Sequence, residues 1–295
     1  RANGKLLLTS EYLVLDGAPA LAIPTKKGQT LTIEESPGIL FWNSLDHEGN
    51  SWFSGTFSEW EIIDCSDQTI ANQLLELLKS ANELNEEFNP FGYRATTRLE
   101  FPNNWGFGSS STLRVLIAAW AKIDPFDLHD KTSNGSGYDI AAGIENSPIL
   151  FRNSPEYQYM NVQFDPSFSS KLFLIHLNQK QSSTKEVDGY KILRTDLDLE
   201  HCRSVCRELT DQFLHSTNLD ELNDAIKKHE LFLSNILHRK TVKEEMFPDY
   251  QLGEIKSLGA WGGDFVLATG DGELVEDYFR KKGFETIFNI NDIAL

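Results

Sequence analysis

The sequence predicts an α+β protein of two domains, residues 1–168 and 169–295. Three observations carry that prediction. Up to about residue 100 the chain is built mainly from short apolar runs of strand character, separated by turn dipeptides such as Asp16-Gly17 and Pro37-Gly38. From about Lys171 a new pattern starts: strand, helix, helix, strand, helix, strand. That order builds one antiparallel sheet covered by helices. The polar stretch Pro166-Ser167-Phe168-Ser169-Ser170 between the two reads as the connection.

Taken in order, residues 4–16 alternate loosely and end at Asp16-Gly17, and Ala20-Leu21-Ala22-Ile23-Pro24 follows, so a hairpin of buried strands is expected. Thr30-Leu31-Thr32-Ile33, Leu40-Phe41-Trp42, Trp52-Phe53 and Trp60-Glu61-Ile62-Ile63 continue the strand material. Ile70, Leu74, Leu77, Leu78 and Leu84 recur near helical spacing and predict a helix over 70–84. Tyr93 to Leu99 has strand character. A helix is expected from the serines near 110 to about Ile123, where Asp124-Pro125 ends it and caps a short successor. In the second half, strands are expected at 172–177, 265–269 and 286–288, and helices over 198–215, 219–239 and 273–282. Leu219, Leu222, Ile226, Leu233 and Leu237 form a one-sided stripe, which is core packing.

Composition bounds the function. Lys plus Arg number 27 and Asp plus Glu 44, a formal net charge of −17 over 295 residues. That sign argues against nucleic acid or an anionic membrane as partner, since both select basic surface. A phosphorylated small molecule must then be held by a local set of donors. The three cysteines, Cys65, Cys202 and Cys206, give neither a disulfide framework nor a Cys-x-x-Cys site. No apolar run approaches the roughly 20 residues of a membrane span. With no signal peptide in view, a reducing cytoplasm is the expected setting. A homodimer is compatible with the sequence, which sets no oligomeric state.

The most informative stretch is Pro102-Asn103-Asn104-Trp105-Gly106-Phe107-Gly108-Ser109-Ser110-Ser111-Thr112, which runs into the apolar helix start Leu113, Val115, Leu116, Ile117. Small residues there let the backbone approach a ligand, and the unpaired first N–H groups with the helix dipole attract an anion such as phosphate. The hydroxyls of Ser109, Ser110 and Ser111 add donors, and oxygen ligands for a Mg²⁺ that travels with a nucleotide. A glycine-serine turn that merely caps a helix reads the same way.

Three further constellations carry the same ambiguity. Lys5, in Gly4-Lys5-Leu6-Leu7-Leu8-Thr9-Ser10-Glu11-Tyr12, is either a solvated strand end or a functional cation. Asp139, in Ser136-Gly137-Tyr138-Asp139, is either an N-cap or an acid-base group. Gly259-Ala260-Trp261-Gly262-Gly263-Asp264, ahead of the strand at Phe265, reads as a bulge or a tight turn.

In this order the four resemble the motifs of the GHMP kinase superfamily, which includes galactokinase, homoserine kinase, mevalonate kinase and phosphomevalonate kinase. Gly4-Lys5 and Ser10-Glu11-Tyr12 fit its first motif. Pro102 to Ser110 fits Pro-x-x-x-Gly-Leu-Gly-Ser-Ser with Phe107 for leucine, Ser136 to Asp139 fits Ser-Gly-x-Asp, and Gly259 to Gly263 fits the third motif. Ser182-Ser183-Thr184-Lys185 is similar to the Ser-Thr loop of mevalonate-pathway kinases, and Gly137-Tyr138-Asp139-Ile140-Ala141 spells the signature of the GYDIA group.

The resemblance implies an N-terminal domain like ribosomal protein S5 domain 2, a ferredoxin-like C-terminal domain and an active site in the cleft between them. It implies ATP and Mg²⁺ as cofactors, with Pro102, Trp105, Gly106, Phe107, Gly108, Ser109, Ser110 and Ser111 around the nucleotide and Ser110 on the metal. Asp139 would take or orient the acceptor's proton, with Lys5 close by to stabilise charge. Glu11, Tyr12, Ser136, Gly137, Tyr138, Lys180, Thr184, Lys185, Gly259, Ala260, Gly262 and Gly263 would line the substrate. The chain departs from the pattern at three places: Trp261 replaces a glycine, Leu128 stands where mevalonate kinases carry a metal-binding glutamate, and Ser10 stands where glycine is common. The implied reaction is phosphoryl transfer to phosphomevalonate or mevalonate. The alternatives are a homoserine or sugar kinase, a diphosphomevalonate decarboxylase, and a member that binds ligand without turnover.

Overall fold

The computed structural model describes residues 1–179, 183–259 and 261–295, except for the side chains of 183–185. By compactness they divide into two units. The first holds Arg1–Gly4, Lys27–Asn103 and Phe107–Ile144, and the second holds Lys5–Lys26, Asn104–Gly106 and Glu145–Leu295.

Strands β1 (Ala2–Leu7) and β2 (Ala20–Glu35) run through both units and pair with each other. The expected strand at Tyr12–Leu15 is instead a 3-10 turn, Leu13–Asp16. Positive φ at Ser10 (61°) and Tyr12 (65°) ends the extended run, and Gly17 (85°) caps the turn. The two pieces expected at 20–24 and 30–33 are one continuous strand.

The first unit continues with β3 (Leu40–Leu45), β4 (Ser51–Ser58), β5 (Glu61–Cys65), α1 (Gln68–Leu84), β6 (Tyr93–Leu99), α2 (Ser109–Ala121), α3 (Pro125–Thr132) and α4 (Tyr138–Ile144). Its strand order is β5-β4-β3-β6-β2, with β3 and β6 parallel and the other neighbours antiparallel. Alternate residues of β3 face inward, so Leu40 and Trp42 meet Leu74 and Leu78 of α1 and Ile117 and Ala118 of α2. Asp67 caps α1 by accepting the Ile70 N–H at 3.0 Å, and Asp124 caps α3 through Phe126, with Pro125 at the first helical position.

The second unit adds β7 (Ile149–Arg152), β8 (Gln158–Asn161), β9 (Leu172–His176), α5 (Ser183–Leu193), α6 (Leu199–Leu214), α7 (Leu219–Leu237), α8 (Val242–Met246), β10 (Ile255–Leu258), β11 (Phe265–Thr269), α9 (Gly272–Lys281), β12 (Ile287–Asn289) and α10 (Ile290–Ile293). Ala20–Ala22 of β2 pairs antiparallel with Ile149–Phe151 of β7, which pairs with β8. That pairing keeps residues 20–26 with the C-terminal part of the chain, so the compact division falls after Ile144 and not at 168. The remaining sheet has the order β10-β11-β9-β12, antiparallel throughout. Counted along the sheet this is 2-3-1-4 with helices in the two long connections, the ferredoxin-like arrangement. The sequence pattern lacked β10, because Lys256 makes Ile255-Lys256-Ser257-Leu258 look half polar.

Lys256 has no exposed surface. Its ammonium donates to Glu11 Oε1 at 2.5 Å and to the Ser257 carbonyl at 3.0 Å, and lies 3.5 Å from Glu230 Oε1. Two carboxylates facing one ammonium in a water-free interior cannot both be ionised cheaply. Burial accordingly raises the pKa of Glu11 and pushes Glu230 up to about 8, against the pull of Lys256 in both cases. His229, next to Glu230 in α7 and likewise buried, accepts the Ser10 amide N–H on Nε2 at 2.9 Å. That bond fixes its neutral Nδ1–H tautomer. Burial, then Lys256, hold its pKa well below the usual histidine range. The 3.5 Å approach of Glu11 Oε2 to that nitrogen is therefore not an ion pair.

A pH dependence follows. Folded Glu230 keeps its proton to about pH 8, whereas the unfolded chain releases it near 4.5. The stability contribution is full below 4.5 and is lost as pH rises through 8. Thermal unfolding should show wild type losing about 5 °C or more between pH 6 and pH 9, and Glu230→Gln less than half of that. Parallel curves for the two proteins would assign the pH dependence to other groups.

Candidate functional site

In the first unit the serine turn opens α2. Gly108 precedes the helix with φ of 89°, in the left-handed region, and Thr112 N–H closes the first turn onto its carbonyl at 2.9 Å. Thr112 also donates its hydroxyl to Gln29 Oε1 at 2.6 Å, which ties the turn to β2. The three serines differ. Ser111 is buried and donates to the Gly108 carbonyl at 2.9 Å. Ser109 reaches back to Asn103 Oδ1 at 3.4 Å, and Ser110 is exposed. Phe107 is enclosed beside Phe101, so of the expected nucleotide-binding residues it offers backbone alone, and the Ser111 hydroxyl is likewise turned inward. Pro102 is half-buried at the entrance to the loop.

Ser136 and Gly137 are buried ahead of α4, where Gly137 has φ of 85° and its carbonyl accepts the amides of Ile140 and Ala141. Asp139 lies in the first turn of α4, half-buried like Tyr138. Arg114 of α2 lies within the electrostatic reach of Asp139. Arg114 donates Nη1 to Ser110 Oγ at 2.8 Å, Nε to Thr132 Oγ1 at 3.1 Å and Nη2 to the Thr132 carbonyl at 3.3 Å. The sequence reading missed it. The available signal was its position one turn after Ser110 as the lone charge among Leu113, Val115, Leu116 and Ile117.

The second unit holds the other expected residues. Lys5 donates to the Gly106 carbonyl at 2.8 Å. Gly106 has φ of 64°, and a side chain there would overlap the Asp264 carboxylate. Trp105 packs edge-on against Phe265 (5.8 Å) and Phe288 (5.1 Å), and His176 hydrogen-bonds the Asn104 carbonyl at 3.1 Å. The middle of the loop is thus seated on the ends of β9, β11 and β12. Gly259 and Gly262 have φ of 71° and 65° with open space where a side chain would go, so backbone conformation selects glycine there. Gly263 is buried between Gly262 and β11. Trp261 points inward. It is 3% exposed among Tyr12, Tyr190 and Leu233, its indole donating to the Lys240 carbonyl at 3.1 Å. The bulk of Trp261, which departs from the glycine of the resembled motif, is therefore core.

Two expected substrate contacts have partners inside the fold instead. Glu11 is enclosed on Lys256, and Tyr12 is buried with its hydroxyl donating to Glu186 at 3.1 Å and accepting the Trp261 amide at 2.7 Å. Lys180 and Ala260 lie outside the described residues, as do the side chains of Thr184 and Lys185.

The residues fit an anion better than a protein-held magnesium ion. Magnesium requires several hard oxygen ligands, and no cluster of three or more His, Cys, Asp or Glu suited to a metal exists among the described residues. Leu128 is fully buried in the first unit's core, and the flanking Asp127 and Asp130 are exposed. At Ser110 the hydroxyl oxygen already accepts from a guanidinium. A divalent ion on that oxygen would stand close to the guanidinium, which is unfavourable unless the nucleotide's own phosphates offset the repulsion.

The sequence matches no protein-family model and no curated protein. Solved structures do match in fold. Phosphomevalonate kinase from Streptococcus pneumoniae, in complex with phosphomevalonate and AMPPNP, is 15% identical, with TM-score 0.72 over 97% of this chain and 98% of that one. Mevalonate kinase from Methanococcus jannaschii is 13% identical, with TM-score 0.69 over 100% and 96%. Galactokinase from Lactococcus lactis, complexed with galactose, is 12% identical, with TM-score 0.68 over 99% and 92%. The chain has the fold of the GHMP kinases.

Gly106→Ala combines a side chain at positive φ with a collision at Asp264. Denaturant unfolding should show a loss of about 1–3 kcal/mol, and an unchanged midpoint would mean that the loop shifts freely.

Proposed function

We propose that the chain is an ATP-dependent small-molecule kinase that transfers the γ-phosphoryl group to mevalonate or phosphomevalonate. The observation that carries this reading is the loop from Gly106 to Ser110. Two positive-φ glycines deliver the chain into a 13-residue helix that opens on a turn of small residues, and the first N–H groups of a helix have no partner within it. Such a turn binds phosphate through backbone donors and the helix dipole, which a chain of net charge −17 needs locally.

Phosphoryl transfer depends mainly on positioning and charge stabilisation. In this reading the amides of Gly108 to Ser110 hold the nucleotide's phosphates, and the Ser109 and Ser110 hydroxyls add donors. The bond from the γ-phosphorus to the β-phosphate oxygen breaks as the acceptor oxygen attacks. Asp139 orients the acceptor and takes its proton where the acceptor is a hydroxyl. Lys5 stabilises charge on the group in transit. The phosphomevalonate and mevalonate kinases of the same fold support a mevalonate-type acceptor. The galactokinase of the same fold keeps a sugar acceptor as the second reading.

A coupled ADP-release assay with Mg·ATP over mevalonate, phosphomevalonate, homoserine and galactose tests both. The expected outcome is turnover with one of the first two acceptors, lowered about 10²–10⁴-fold by Asp139→Asn. Turnover on galactose would establish the second reading, and release of carbon dioxide would establish a decarboxylase. Binding of ATP without turnover on any acceptor would refute the kinase proposal. An Asp139→Asn protein as fast as wild type would remove Asp139 from the mechanism.

A further inference from the structure

Resting on the kinase reading, the geometry around Ser110 carries a second step. We infer that Arg114 is a positioning residue that makes the Ser110 hydroxyl a hydrogen-bond donor to the nucleotide's phosphate, so that this chain holds ATP without a protein-bound divalent cation. A hydroxyl has one hydrogen to give and oxygen lone pairs to receive with. Arg114 Nη1 occupies the oxygen of Ser110 from the helix side at 2.8 Å, and Ser110 itself is exposed. The hydroxyl hydrogen is thereby left for an outside acceptor, and a bond received from a cation makes the hydroxyl a stronger donor.

The guanidinium is itself held at the far end. Nε and Nη2 both bond to Thr132, whose hydroxyl donates to the Leu128 carbonyl at 2.6 Å. Arg114 therefore spans from the first turn of α2 to the last turn of α3, with its planar fork fixed by three hydrogen bonds. Position and charge reinforce each other. Arg114, half-buried, sits in the field of Asp139. At residue 128, one helix over, the chain offers leucine in the core and no carboxylate. A metal-binding version of this corner would gain from an acid there and an unshared serine oxygen; residue 128 supplies no acid, and Arg114 already shares the serine oxygen.

Calorimetric titration of the full chain with ATP in EDTA, and with Mg·ATP, tests the inference on wild type, Ser110→Ala, Arg114→Met and Arg114→Lys. Wild type should bind metal-free ATP within about tenfold of Mg·ATP. Arg114→Met should weaken metal-free ATP by about tenfold or more and Mg·ATP by less, with Arg114→Lys between, since it restores charge without the fork. In the Ser110→Ala background, Arg114→Met should cost less than about threefold further, because the two side chains act as one unit. Ser110 is exposed, so Ser110→Ala reports even where Arg114→Met fails to fold: it should weaken metal-free ATP by about threefold or more. If Ser110→Ala instead leaves metal-free binding intact and raises the magnesium requirement, Ser110 is a metal ligand and the inference is overturned. Additive effects of the two substitutions would overturn it as well. A wild-type protein that binds neither form of ATP would overturn the kinase reading itself, a pattern distinct from either.

Discussion

A lysine sealed inside the second unit dictates much of what surrounds it. Lys256 would be expensive to bury alone, so the fold must bring a charge to meet it, and it brings Glu11 from the other end of the chain. Glu230 then has to stay protonated, and His229 has to stay neutral. The Ser10 amide must point at that histidine, which helps hold Ser10 at a φ that favours glycine. An angle of that sign is one that glycine adopts without steric cost. Serine is tolerated because its hydroxyl donates to the Pro19 carbonyl at 2.6 Å and lies beside Thr210.

On the proposed reading, phosphate recognition has to be local. The global charge opposes it, and the donors would be a turn of backbone amides and two serine hydroxyls, one of them held by a guanidinium. Each is fixed by an ordinary packing feature: Gly106 by Asp264 and Lys5, Gly108 by the left-handed start of α2, Arg114 by Thr132. None of these contacts requires an unusual element. They require small residues at a helix entrance and one long side chain a turn later.

The long periodic elements were legible from residue types alone. Helices α1, α6, α7 and α9 lie within two residues of their expected ends, because one-sided apolar stripes leave few alternatives. Strand β11 was read to the residue as five apolar or small residues flanked by turns. Short strands were not legible. In β10 a buried lysine disguises the pattern, and in β8 all four residues are exposed, so no apolar signal exists. The motif residues were found, but not their partners. That Glu11 and Tyr12 face inward depends on Lys256, Glu186 and Trp261, between 174 and 249 positions away. Arg114 was passed over because a single cation on an apolar helix looks like a solvated end.

The division of the chain bears on how the protein can be made. Neither compact unit is a continuous stretch: residues 5–26 belong with the C-terminal portion although the whole of 27–103 intervenes. During synthesis the segment bearing Glu11 leaves the ribosome early, while Lys256 is still 245 residues from being added. The second unit therefore cannot complete its interior until nearly all of the chain has emerged. A fragment cut after Ile144 would keep Glu11 and strand the buried lysine in the other piece, a loss of about 3–5 kcal/mol for the broken pair alone. The two pieces should regain a native interior only by finding each other.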